Sequence, residues 1–253
     1  MVLVMAVMTV SLNKVSAEES ETETSVSFSE EKESNLTENE SLESSESSKS
    51  AVPFSERYAI IIYSNLSTID QNEVSKAVSL YQRLIYKGWY QTNIEFLGPD
   101  QITSTSGIAN LSNVENAFNN IIENSIGSKE IMIYISDHIY DTNSETILFF
   151  TDGNISSTVI SCWLENMTYS KLTFIMNGVH SGLAGPEFCG ALRDIICSMS
   201  STATFSPDQF NITRGLSNPK ADTNKDGEVS FVEAYYSERS YLRRISNQVP
   251  ELW

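Results

Sequence analysis

Three runs constrain the fold more than any other feature: "RYAIIIYS" (57–64), "EIMIYIS" (130–136) and "KLTFIMN" (171–177). Each is continuously apolar and rich in β-branched residues rather than alternating, the pattern of a strand covered on both faces. After the first run, Val74, Val78, Tyr81 and Ile85 recur at helical spacing and predict a helix. "SNVENAFNNIIENSI" (112–126) predicts another, capped by Ser112 or Asn113 and turning Ala117, Ile121 and Ile122 inward. "NIEFLG" (93–98) and "RDIICSMSS" (193–201) supply two further strands. A hairpin around Ile147 to Thr151 and a helix near Ser157 to Tyr169 fall between the second and third runs. "FVEAYYSERSYLRR" (231–244) predicts a last helix, and "LSNPKA" (216–221) a loop before it. The alternation predicts an α/β fold with a mostly parallel sheet and helices on both faces, over about residues 55–205.

The first fifty residues contribute little to such a core. "MVLVMAVMTVSL" (1–12) is apolar, too short to span a bilayer, and followed by "VSA" (15–17), a small-residue cleavage pattern. Residues 1–17 are therefore expected to be a signal peptide and the protein to be secreted or on the cell surface, touching a membrane only if that segment stays uncleaved. Residues 18–52 are Ser- and Glu-rich and are expected to form a disordered stalk. Of the net charge of −17, residues 1–50 carry −8 and residues 51–253 carry −9. Two acidic halves exclude a nucleic-acid phosphate backbone as partner and favour divalent cations. Cys162, Cys189 and Cys197 form neither a disulfide framework nor a CxxC pattern, and one pair could oxidise outside the cell. Several N-x-[ST] sequons, among them Asn35, Asn65, Asn110, Asn154, Asn166 and Asn211, fit an exterior location.

In parallel sheets, ligands bind beyond the carboxyl ends of the strands. Both histidines are expected there: His138 in "ISDHIYD" and His180 in "NGVHSG" (177–182). With Asp137 or Asp141 they form a set that can bind a transition metal, although no H-x-x-x-H spacing is present.

"IMIYISDHI" and "LTFIMNGVHSG", in order with "RYAIIIYS", "SNVENAF", "CWLENM" and "RDIICSMSS", carry a resemblance over about residues 55–240. The chain resembles the legumain-like, caspase-fold cysteine peptidases, especially prokaryotic members with a calcium-type loop near the C-terminus. The resemblance implies a caspase-like three-layer α/β/α sandwich. It places His138 in the general-base position and Val179 in that of the nucleophilic cysteine, with Ser181 and Gly182 retained after it. Ile139 stands where the family has glycine, and Asn177 where it has an acid. A valine has no lone pair and cannot form an acyl-enzyme. The Ile139 N–H could still serve an oxyanion, but its branched side chain is expected to crowd a substrate carbonyl.

Other nucleophiles fit less well. Ser181 adjoins His180, but "GVHSG" lacks the G-x-S-x-G elbow, and adjacent residues on an extended chain point oppositely. Cys189 lies ten residues beyond Val179 and requires the chain to fold back. Cys162 belongs to a helix, and Cys197 to a strand where a buried thiol acts as a small hydrophobe.

"DTNKDGEVSFVE" (222–233) matches the twelve-residue EF-hand ligand pattern. Asp222, Asn224 and Asp226 take positions one, three and five, Glu228 position seven through its carbonyl, Ser230 position nine and Glu233 position twelve. Gly227 makes the sharp turn. The pattern predicts Ca2+ as cofactor, and a single loop without a paired partner predicts a structural ion rather than a sensor.

The domain expectation is a caspase/legumain-like domain over 53–215, with an EF-hand-like calcium loop and C-terminal helix over 216–253 packed on it. The functional expectation is a pseudopeptidase that binds a peptide or protein ligand and is not an enzyme. An active cysteine-type endopeptidase with a non-standard nucleophile, and a purely structural exterior protein, remain the alternatives.

Overall fold

The computed structural model describes residues 52–64, 71–99, 105–124, 126–127, 129–137, 139–141, 146–150, 152–200, 209–246 and 248–253. The signal-peptide expectation, and all of the stalk but Val52, lie outside the described residues. Residues Lys49–Trp253 form one compact unit.

In chain order the elements are β1 (Arg57–Tyr63), α1 (Gln71–Tyr86), β2 (Ile94–Gly98), β3 (Gly107–Ile108), α2 (Leu111–Asn124) and β4 (Glu130–Ser136). Then follow β5 (Ile139–Asp141), β6 (Thr146–Phe150), β7 (Gly153–Ser156), α3 (Ser157–Asn166) and β8 (Lys171–Asn177). The chain closes with α4 (Ser181–Phe188), β9 (Arg193–Cys197), α5 (Ile212–Leu216), α6 (Phe231–Ile245) and β10 (Glu251–Leu252).

The three apolar runs become β1, β4 and β8, which lie side by side at the centre of a seven-stranded sheet ordered β10-β9-β8-β4-β1-β2-β3. All pairings within it are parallel except β10 on β9. Continuous apolarity follows from this position, because successive side chains point to opposite faces and both faces are covered. Ile60, Ile62, Ile133, Phe174 and Cys197 pack on one side with α2, α3 and α4 residues such as Phe118, Leu164 and Phe188. Ile61, Tyr134 and Ile175 pack on the other with α1, α5 and α6 residues such as Leu80, Leu216 and Tyr235. Each fully buried isoleucine contributes roughly 1.5–3 kcal/mol, so these strands anchor both layers. The result is a mostly parallel sheet between two helical layers.

Several local expectations shift. The buried line of α1 runs through Lys76, Ala77, Leu80 and Leu84, while Val74, Val78 and Tyr81 flank it and Ile85 is 36 % exposed. Two apolar stripes overlap on this helix, and the small Ala77 sits on the one that meets the sheet. Helix α2 starts two or three residues earlier than predicted: the Asn110 side chain accepts the Asn113 N–H at 2.8 Å, and Asp152 accepts the Leu111 N–H at 2.9 Å. The hairpin near Ile147 extends into a separate antiparallel sheet ordered β5-β6-β7. The predicted helix near Ser157 ends at Asn166 rather than Tyr169, and "LSNPKA" contains the end of α5 and a 3-10 turn at Pro219–Ala221. The two-residue strands β3 and β10 are too short for a periodicity to register.

Candidate functional site

The chain runs outward from β1 through β2 to β3, then returns to place β4 on the other side of β1. Such a reversal opens a crevice at the carboxyl ends of the two diverging strands. Ser64 follows β1 here, Ser136 and Asp137 end and follow β4, and Asn177 ends β8. The backbone ties these tips together: the Ser64 N–H donates to the Ser136 carbonyl (3.0 Å), and the Asp137 N–H to the Asn177 carbonyl (3.2 Å). The neighbouring ends of β4 and β8 expected from the sequence are present, with Ser136 opposite Asn177.

The side chains at this edge bond to one another. Asn177 is 1 % exposed, and its Nδ2 donates to Glu73 Oε2 at 2.5 Å and to Ser136 Oγ at 3.2 Å. Ser136 Oγ donates to the same Glu73 oxygen at 3.3 Å, and Lys76 Nζ pairs with Glu73 Oε1 at 2.6 Å. Ser64 Oγ donates to Asp137 Oδ1 at 3.4 Å. Glu73 occupies the first turn of α1, where the helix dipole favours a carboxylate. The sequence reading missed Glu73, Lys76 and Ser64. A signal was available, since the helix after β1 must begin beside the carboxyl edge. The Ser64 and Ser136 hydroxyls are buried and order the strand tips.

His138 lies outside the described residues, as does its expected convergence with His180. The side chains of Ile139 and Asp141 are likewise outside them, so the crowding expected at Ile139 and the proposed histidine–aspartate metal set do not enter the description. The Ile139 backbone opens β5 and pairs with Leu148.

Val179 and His180 make the turn between β8 and α4, both half-buried. His180 precedes the first helical residue with a left-handed backbone, φ 63° and ψ 14°. Ser181 is fully buried: its Oγ accepts the Met199 N–H at 3.0 Å, and the neighbouring Ser198 Oγ accepts the Gly178 N–H at 3.0 Å. These bonds clamp the turn onto the end of β9. They also remove Ser181 as a nucleophile, because its hydroxyl is out of reach of a substrate. Cys189 closes the far end of α4, about 12 Å of helix from Ser181, and does not fold back toward Val179. Cys162 is exposed on α3, and Cys197 is fully buried in β9, where burial pushes its thiol up to about 12.

The acidic loop stands at the opposite edge of the sheet. Asp222 Oδ2 accepts the Gly227 N–H (3.0 Å), Asn224 Oδ1 the Asp226 N–H (3.0 Å) and Asp226 Oδ1 the Glu228 N–H (2.8 Å). Lys225 and Gly227 take left-handed backbones, φ 60° and 88°, which close the turn. Asp226 and Glu233 brace the loop through both oxygens, whereas Asp222 uses one and its Oδ1 is buried with no hydrogen-bond partner among the described residues. Ser230 caps α6 in a capping box with Glu233. Burial alone would raise the Glu233 carboxyl, but hydrogen bonds from Ser230 and Thr223 outweigh it and hold it at about 2. Hard oxygen donors at alternating positions, one of them buried and unsatisfied, fit a calcium ion. Among the described residues, no cluster of three or more His, Cys, Asp or Glu side chains is arranged to hold a metal, so the fit depends equally on Asn224, Ser230 and the Glu228 carbonyl.

Glu228 has a second role that its loop position does not reveal. Its carboxylate pairs with Arg57 Nη1 at 2.9 Å and with Lys87 Nζ at 3.5 Å, joining the loop to the start of β1. Arg57 also pairs with Glu130 at 3.1 Å and stacks 4.4 Å above the Phe54 ring. Compared with known proteins, the sequence matches no family model and no curated protein.

Proposed function

We propose that this chain is a catalytically inactive relative of the legumain-like, caspase-fold cysteine peptidases, secreted or held at the cell surface. Its carboxyl sheet edge serves to bind a peptide or protein ligand, and its loop at 222–233 holds a structural Ca2+. The observation that carries the reading is Val179. It occupies the turn directly beyond the tip of β8, between a buried Asn177 bonded to Glu73 and a buried Ser181 bonded to Met199. A side chain without a lone pair there leaves a peptide bound but uncut, since acyl transfer needs a nucleophile and a base within reach. Extended peptides would engage such a fold through backbone pairing at a sheet edge. Calcium in the loop would supply positive charge among Asp222, Asp226 and Glu233. The chain's own residues carry that constraint inward, through the α6 cap at Ser230 and through Glu228 to Arg57.

The test is to treat the full chain, with and without calcium, with thiol-reactive peptide electrophiles of varied sequence and to map adducts by mass spectrometry. Slow labelling of the exposed cysteines, unchanged in His138→Ala, is the expected result. Rapid labelling of any cysteine that disappears in His138→Ala overturns the inactive reading and makes the chain a peptidase with a displaced nucleophile.

A further inference from the structure

Helix α4 and strand β9 approach each other at Gly185. A Cβ at that position would collide with the Trp253 indole, so only glycine permits the contact. The Trp253 backbone is fixed by reciprocal bonds with Ile195, its N–H to the Ile195 carbonyl at 3.0 Å and the Ile195 N–H back at 3.2 Å. Two sulfurs flank the Gly185 backbone. Cys189 Sγ donates to the Gly185 carbonyl at 3.4 Å from one helical turn away, and the Gly185 backbone N–H is directed at the Cys197 sulfur of β9. One residue, Gly185, thus lies against both sulfurs, which sense each other's charge, whereas Cys162 stands apart, its Sγ contacting Asn166 of its own helix at 3.8 Å.

We propose that Cys189 and Cys197 are an oxidisable pair whose disulfide fastens α4, and with it the 178–182 turn, to β9. Cys162 is left as the free thiol. The inference stands on the α4–β9 geometry and not on the proposed function, which adds only that an exterior protein meets an oxidising environment.

The chemistry is thiol–disulfide exchange with a small disulfide such as oxidised glutathione. The Cys189 thiolate attacks one glutathione sulfur, forming a mixed disulfide and releasing one glutathione thiolate. The Cys197 sulfur, losing its proton, then attacks the Cys189 sulfur and expels the second. Two cysteine thiols are oxidised, one glutathione disulfide is reduced, and the two protons leave on the two glutathione thiols. Burial of Cys197 makes the second step slow in the folded chain, so the bond closes fastest while α4 docks during folding. Once formed, the same burial shields it from reductants.

The experiment refolds the full chain from denaturant in excess oxidised glutathione, quenches with acid, alkylates and digests with trypsin. Lys171 lies between Cys162 and Cys189, and Arg193 between Cys189 and Cys197, so the three cysteines fall on separate peptides. The expected product is a cross-linked pair carrying Cys189 and Cys197, with Cys162 alkylated. The cross-link should vanish in Cys189→Ser, whose circular dichroism should match the parent's. The denaturation midpoint of the oxidised parent should fall when dithiothreitol is added, and that of Cys189→Ser should not move. A Cys162–Cys189 cross-link overturns the proposal, as does a refolded chain in which Cys189 and Cys197 both remain alkylatable.

Discussion

Asn177, at the tip of β8, donates its side-chain amide to the Glu73 carboxylate of α1 at 2.5 Å, across 104 positions of sequence. The position at which the proposed family carries an acid is thus an amide that donates to a neighbouring acid. The carboxyl edge is built around the half-buried Glu73 carboxylate, with Lys76 as its counter-charge.

Asn177→Asp should therefore destabilise the protein rather than restore a site. Two carboxylates sharing one buried position cannot both ionise readily, and the pair's pKa rises above that of the unfolded chain. A raised acid pKa favours folding at low pH and opposes it as pH climbs through that value. The expected loss is about 1–3 kcal/mol near neutral pH, shrinking toward pH ~5, read from urea denaturation midpoints. An equal loss at both pH values would show that charge repulsion is not its cause.

At the other edge, calcium should raise the thermal midpoint of the full chain. A ligand at about one hundred times its Kd adds roughly 2.7 kcal/mol to the folded state. Asp226→Ala removes an exposed donor without touching the Ser230–Glu233 cap, so its calcium-free midpoint should stay near the parent's while the calcium-induced rise disappears. Calorimetry with and without a chelator makes the measurement, and a rise that persists in Asp226→Ala would place the ion elsewhere.

Arg57→Met should cost about 2–4 kcal/mol at neutral pH, because it strands Glu130 in a largely buried place. Burial already pushes the Glu130 carboxyl above its ordinary range, with Arg57 the chief influence pulling it down. Without Arg57 the shift grows, so the variant should lose stability as pH rises through the Glu130 titration and recover part of it on acidification. Denaturation curves near pH 5 and pH 8 would detect this, and a penalty independent of pH would assign the loss to packing on Phe54 and Trp89 instead.

The strands were legible because their signal is local. An unbroken apolar run such as "RYAIIIYS" has one economical place, the centre of a sheet covered on both faces, and β1, β4 and β8 lie there. Val179 at the tip of β8 and the alternating oxygens of the 222–233 loop depend on spacing within a few residues, and spacing is what a sequence displays. Local spacing is silent on which distant segments meet. Overlapping stripes on α1 left its buried face undecided until Ala77 met the sheet. The Glu73–Asn177 bond, the Arg57–Glu228 pair across 171 positions and the approach of Trp253 to Gly185 exist only because crossover order and strand register bring remote residues together. The sequence by itself determined the long strands, the helices α1, α2, α3 and α6, the acidic charge and the residue types at both edges of the sheet. Tertiary structure decided which of those residues bind one another, because partner choice is settled by packing rather than by periodicity.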